Sequence, residues 1–158
     1  MMRFVDAIAL SGRTDITDPC YDKDVWCRTA VNTVPGRYSC YADNDNGLVR
    51  GIMIVHEKHE HEIKENHADW KEFDTIGVDA GLAGFFDNKP DYTDPEWDLF
   101  CRKVSEEEDR TRGTDAHNLH AWGNCFFSTS GYGDGGYPVY GLCGDDGVYY
   151  ALRIDFID

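Results

Sequence analysis

Hydrophobic and polar residues alternate with a period of two along most of this chain, which is the pattern of half-buried β-strands. Two such runs, residues 36–42 and 48–56, flank the sequence DNDNG, in which Asn46 and Gly47 supply the positive φ angles of a tight turn. Near the C-terminus, the runs YPVYGLC and VYYALRIDF flank GDDG in the same way. The pattern therefore predicts two β-hairpins. The alternating apolar positions of the last strand are expected to share one face: Val148, Tyr150, Leu152, Ile154 and Phe156.

Further strands are expected at the N-terminus and in the middle of the chain. The segment MMRFVDAIALSG is interpreted as a first strand rather than a signal peptide, because Asp6 interrupts its apolar run and no small-residue cleavage site follows. Residues 74–81 and 124–130 are apolar runs bounded by glycine or polar residues. The expected fold is mainly β: an antiparallel β-sandwich or a partly open barrel of about six to seven strands, in a single globular domain over residues 1–158.

One segment, TDPEWDLFCRKVSEEEDR at 93–110, departs from the strand pattern and predicts an amphipathic helix. Thr93 and Glu96 have the spacing of a capping box, and Pro95 suits the first turn of a helix. The apolar positions recur at helical spacing and are expected to lie against a sheet: Trp97, Phe100, Cys101 and Val104.

The charge of the chain restricts its partners. Fifteen lysines and arginines stand against thirty aspartates and glutamates, which gives a formal net charge of −15 at pH 7. Such a charge repels nucleic acid and anionic membrane surfaces and favours a basic partner. No apolar run approaches the roughly 18 residues of a membrane span. We therefore expect a cytoplasmic protein that makes no direct contact with nucleic acid or membrane.

The cysteines and histidines are the residues best suited to act as nucleophiles or metal ligands. Six dispersed cysteines without a secretion signal are expected to be free thiols, and Cys20 is expected to be packed rather than reactive. Four histidines lie among glutamates in HEKHEHEIKENH: His56, His59, His61 and His67. On an extended strand His59 and His61 would share a face and suit a divalent metal. A solvated edge strand or loop is the favoured interpretation, so no metal site is predicted here and His59 and His61 are only weak candidates.

The glycine-rich stretch SGYGDGGYPVY, residues 130–140, allows two interpretations. A dinucleotide-binding loop is excluded because Pro138 and the alternation after it announce a strand rather than a helix. The favoured interpretation is a strand-to-strand turn whose glycines adopt left-handed angles. The alternative is a ligand site to which Asp134 and Tyr137 present polar groups. No serine-hydrolase elbow surrounds Ser130, and no cofactor is expected.

Five motifs carry a resemblance to a known family: DPCY at 18–21, PGRYSCYA at 35–42, VDAGLAGFFD at 78–87, SGYGDGGYPVY at 130–140 and ALRIDFI at 151–157. In this order they resemble a bacterial and bacteriophage domain of unknown function whose members often end in a GDG-x-YPVY loop followed by a hydrophobic strand. The resemblance implies a compact, mostly antiparallel β domain with one helix. It brings no activity, cofactor or catalytic residue to this chain.

Two functions remain open at the level of the sequence. The first is a non-enzymatic acidic binding protein, phage- or prophage-associated, that binds a basic protein surface or a small molecule, for example to inhibit or sequester a host defence component. The alternative is a small hydrolase or transferase with a carboxylate or metal site built from the loops at 18–21, 79–84 and 130–137. In that site Asp18, Asp79 and Asp134 would hold a divalent ion. The favoured interpretation of these three residues is that they form turns by accepting backbone hydrogen bonds. The candidate ligand-binding residues are Asp18, Tyr21, Asp79, Ser130, Asp134 and Tyr137.

Overall fold

Strands dominate the structure, a computed structural model that describes residues 1–64 and 68–158. Strands account for 49% of the chain and helices for 16%. The strands form two antiparallel sheets that do not close into a barrel, which confirms the predicted mainly β fold. In the described residues they are β1 Arg3–Leu10, β2 Arg13–Thr17, β3 Thr29–Asn32, β4 Gly36–Asp45, β5 Leu48–His56, β6 Lys71–Val78, β7 Leu82–Asp87, β8 Leu119–Ala121, β9 Cys125–Thr129, β10 Gly135–Cys143 and β11 Tyr149–Asp155.

The first sheet has the strand order β1-β4-β5-β11-β10-β6, and the second has the order β3-β2-β7-β9-β8. The described residues thus form eleven strands, more than the six or seven expected. The sequence pattern missed four of these strands, β2, β3, β7 and β8, which have five, four, six and three residues. β2, β3 and β8 are too short to display a clear period of two, and the residues of β7, LAGFFD, do not alternate between apolar and polar.

Both predicted hairpins are confirmed. Asn46 and Gly47 have φ angles of 51° and 94° in the turn between β4 and β5. The strands β10 and β11 pair in the second hairpin, but their register shifts between Leu142 and Cys143. The prediction that Tyr150 shares a face with Leu152 is therefore wrong. Tyr150 packs with Met53 and Val55 on the opposite face of the first sheet, whereas Leu152 lies in the core between the sheets.

The main hydrophobic core lies between the two sheets. Its fully buried side chains include Ile54 and Ile154 from the first sheet and Phe85 and Phe126 from the second. Burial of apolar surface in this layer is the main force that holds the sheets together. Each sheet therefore has one inward face, and its loops are gathered at the ends of the sandwich.

The predicted helix is confirmed as α2, which runs over Asp94–Thr111 with Thr93 as its N-cap and a complete capping box to Glu96. Phe100 packs on Phe127 of the second sheet, with ring centroids 5.2 Å apart. The apolar stripe is one residue shorter than predicted, because Cys101 is exposed. Across the described residues, neither this helix nor any other combines the length and apolar character needed to cross a membrane.

Helical turns replace the edge strand or loop expected after β5. Residues Glu57–His59 form a 3₁₀ turn, and α1 follows over Glu60–Lys64. His59 and His61 therefore do not share a face of an extended strand, and the geometry invoked for a metal pair is wrong. The side chain of His56 begins the turn by accepting a hydrogen bond from the Lys58 amide.

Candidate functional site

Three loops meet at one end of the sandwich, which we call the loop end: residues 18–28, 79–81 and 130–134. The second and third loops carry the chain from one sheet to the other, from β6 to β7 and from β9 to β10. The Gly77 amide donates to the Cys27 carbonyl at 2.8 Å, and the Ser130 amide donates to the Gly81 carbonyl at 3.0 Å. The loops singled out from the sequence are therefore brought together.

Asp18 joins two of these loops from a fully buried position. Its Oδ1 accepts a hydrogen bond from the Cys20 amide at 2.8 Å. Its Oδ2 accepts from the amides of Asp79 and Ala80 at 2.7 and 2.6 Å. Three charge-assisted hydrogen bonds commit the carboxylate to the backbone, which supports its interpretation as a turn former.

Ser130 and Tyr137 are also occupied inside the fold. The Ser130 hydroxyl donates to the Gly133 carbonyl at 2.8 Å. The Tyr137 hydroxyl bonds to the carbonyls of Ser130 and Gly133. Gly131 and Gly133 have φ angles of 56° and 117°, so the left-handed angles expected of this stretch are present. The stretch forms a tightly bonded turn in which both buried hydroxyls serve the backbone.

The solvent side of the loop end carries different residues. Asp79 and Asp134 have exposed side chains. Trp26 and Tyr132 are 91% and 82% exposed, unusually high values for such large rings. Sequence reasoning missed both aromatic residues; the signal available was their position in polar loops, away from any apolar periodicity.

Neither Cys20 nor Tyr21 has the properties of an activated nucleophile. Burial raises the pKa of the Cys20 thiol to about 12, with a further contribution from its hydrogen bond to the Asp18 carboxylate. Burial and a hydrogen bond with Cys27 likewise raise the pKa of the Tyr21 hydroxyl. Because the deprotonated form is the reactive one, both groups stay protonated and weakly nucleophilic at neutral pH.

The histidine segment lies apart from the loop end. His59 Nδ1 is 2.8 Å from Glu62 Oε1, and the His59 ring stacks on Tyr150 with centroids 3.9 Å apart. His67 lies outside the described residues. Among the residues that the structure describes, no group of three or more His, Cys, Asp or Glu side chains is arranged to hold a metal ion.

A buried charged cluster at the base of the first loop was also missed by the sequence reasoning. Arg28 forms a salt bridge with Asp15 at 2.6 Å, with both side chains almost completely buried. The other Asp15 oxygen accepts from the Lys89 amide at 2.7 Å. The three residues are far apart in the sequence, so no local sequence motif predicts this cluster.

Comparison of the chain with known protein families, with curated proteins and with solved structures gave no match. The resemblance to a bacterial and bacteriophage domain of unknown function therefore stays a prediction.

Alkylation of the thiols gives a direct check on the cysteines, all six of which are free. Cys101 and Cys143 are exposed, whereas Cys40 and Cys125 are buried. Burial raises the pKa of Cys125 to about 12 and also raises that of Cys40. At about pH 8, iodoacetamide should modify Cys101 and Cys143 first and the buried pair only after unfolding, since access and thiolate content set the rate. Mass spectrometry without reductant should then count all six; a lower count would indicate a disulfide.

Proposed function

We propose that this protein is a non-enzymatic, phage- or prophage-associated binding protein that docks a basic protein surface of the host cytoplasm, such as a defence component, on its loop end. The observation that carries the proposal is that the polar side chains and the exposed side chains of the loop end have different surroundings. The polar groups suited to chemistry bond to the backbone, while aromatic rings and carboxylates face the solvent.

The exposed aromatic residues supply the contact energy. Cys27 bonds to Gly77, which pairs with Gly136 in β10, so Trp26 and Tyr132 lie in adjoining loops. Tryptophan and tyrosine are the residue types most enriched among the dominant contacts of protein interfaces. A ring that is already exposed in the free protein loses only water when a partner covers it.

The exposed carboxylates supply the preference for a basic partner. Asp22 and Asp24 precede Trp26 in its loop, and Asp134 follows Tyr132. Lys23 lies between Asp22 and Asp24, and the other cation of this loop, Arg28, has an almost completely buried side chain. Carboxylates around an aromatic contact favour a lysine- or arginine-rich surface, and the net charge of −15 increases the rate of encounter with it.

The hydrolase or transferase alternative has less support. It requires a carboxylate from each of the three loops, yet Asp18 is buried and bonded to three amides. Cys20, the nearest thiol, has a raised pKa. Asp79 and Asp134 remain as exposed carboxylates without a buried partner to tune them.

The test compares matched variants of the immobilised protein. A host partner identified by mass spectrometry and then purified should bind Trp26→Ala at least about 10-fold more weakly than the wild type, since truncation of a central aromatic contact costs about 2 kcal/mol. Leu99→Ala is the control, because Leu99 is also an exposed apolar side chain but lies on α2. The wild-type affinity should also fall between about 0.05 and 0.5 M salt.

Two results would contradict the proposal. Equal binding by Trp26→Ala and the wild type would remove the loop end from the interface. An affinity that does not change with salt would remove the charge complementarity on which the choice of a basic partner rests.

A further inference from the structure

A cavity of about 290 Å³ lies between the first loop and strands β2 and β3 of the second sheet. Among the described residues that line it are three cationic side chains, Arg13, Lys23 and Arg28, and one carboxylate, Asp15. In a chain with twice as many acidic as basic residues, such a concentration of positive charge is unexpected. A cluster of cations of this kind favours the binding of an anion.

The Arg28 side chain forms the floor of the cavity and is held in a fixed position. The Arg28 guanidinium donates through one nitrogen to the Tyr21 carbonyl at 2.8 Å and through another to Asp15 at 2.6 Å. These two bonds fix the plane of the guanidinium, whose side chain is only 5% exposed. A fixed, desolvated arginine is a strong anion ligand because little entropy is lost when it binds.

Behind this floor lies a second buried cation, Lys89, which is 2% exposed. Its ammonium group contacts neutral partners: the carbonyls of Pro90 and Tyr21 at 3.1 and 3.4 Å, and the ring of Tyr92 at 4.1 Å. Burial, and then the positive charge of Arg28, lower the pKa of Lys89, although the carboxylates of Asp91, Asp15 and Asp22 oppose this. Of these three carboxylates only Asp15 is buried with the two cations, whereas Asp22 and Asp91 are exposed.

The rim of the cavity supplies cations that can move towards a ligand. Arg13 is exposed and is held by one 3.2 Å bond to Asn32. Lys23 is exposed, and its ammonium group lies 3.5 Å from the Asn88 side chain. These weak contacts can be exchanged for contacts with an anion at little cost.

From this cavity we propose that the protein binds a small phosphomonoester, with its phosphate group held between Arg13, Lys23 and Arg28. A phosphate monoester carries about two negative charges at neutral pH, which matches the excess of cations over carboxylates on the lining. Its tetrahedral oxygens accept bonds from several directions, as three separate cations require, whereas a carboxylate is planar. The cavity volume leaves room for a small organic group beside the phosphate.

Glycerol 3-phosphate, inorganic phosphate and succinate are suitable probes at constant ionic strength. Isothermal titration calorimetry should show glycerol 3-phosphate binding with a Kd of about 1 mM or below, and tighter than succinate. Arg13→Gln and Lys23→Gln should each weaken this binding by about 10-fold. Both side chains are exposed, so these variants should keep the melting temperature of the wild type.

The controls separate a local site from the general effect of charge. Arg102→Gln and Lys58→Gln remove the same charges from exposed positions on α2 and the 3₁₀ turn, and they should bind glycerol 3-phosphate as the wild type does. Equal weakening by these controls would overturn the site. No heat of binding up to about 10 mM would overturn the ligand, and tighter binding of succinate would overturn its assignment as a phosphate.

Discussion

Replacing Asp18 by alanine is expected to lower the free energy of unfolding by about 3–5 kcal/mol, because three partly buried amide donors lose their acceptor and each unsatisfied donor costs about 1–3 kcal/mol. A loss of this size is a large part of the roughly 5–15 kcal/mol that stabilises a typical domain. The melting temperature should fall by about 10 °C. Urea unfolding followed by tryptophan fluorescence provides the measurement.

Two matched variants test the reason for this loss. Asp79→Ala removes an exposed carboxylate from the adjoining loop and should change stability by less than about 0.5 kcal/mol. Asp18→Asn keeps one carbonyl oxygen as an acceptor and should lose about 1–3 kcal/mol, less than the alanine variant. If Asp18→Ala unfolds at the wild-type urea concentration, the carboxylate is not a structural acceptor, and the enzymatic alternative regains its third carboxylate.

The elements that the sequence predicted well are those specified by neighbouring residues. Thr93, Pro95 and Glu96 define the start of α2 within four residues, and Asn46 with Gly47 defines the first hairpin within two. Such local signals act before tertiary contacts form, and so they can be interpreted without a structure. The helical turn at residues 57–64 was missed because its alternating charges also fit an exposed strand or loop.

The candidate site was predictable only in part, for the same physical reason. Asp18 stood out beside Pro19 in a turn-like sequence, but its partners at residues 79 and 80 are supplied by the crossing of the chain between sheets. The cavity of Arg13, Arg28 and Lys23 depends on the pairing of β2 with β3, and the length of β3 hid that strand from the pattern. The exposure of Trp26 likewise depends on the tertiary fold, which leaves its ring almost uncovered.

Gly84→Ala is expected to destabilise the protein by about 3 kcal/mol, through crowding of two neighbouring strands. Gly84 lies in the middle of β7, paired with Thr17 of β2 on one side and Phe127 of β9 on the other. A methyl group at this position would overlap with the carbonyl oxygen of Phe126 and the Cα of Phe127. Both are backbone atoms inside a sheet, so relief requires β7 and β9 to move apart and to disturb the core around Phe85.

Gly136→Ala is the matched control, since Gly136 also lies in a strand, β10, and also pairs with a neighbouring strand. A methyl group there would meet the Thr75 side chain at an ordinary 3.7 Å, and the residue does not have a positive φ angle. Its stability should stay within about 1 kcal/mol of the wild type, because alanine restricts the unfolded chain more than glycine does. Equal urea midpoints for the two variants would mean that the close approach of β9 to Gly84 does not limit the fold. A lower urea midpoint for Gly84→Ala alone would show that glycine is required where β7 contacts β9 in the second sheet.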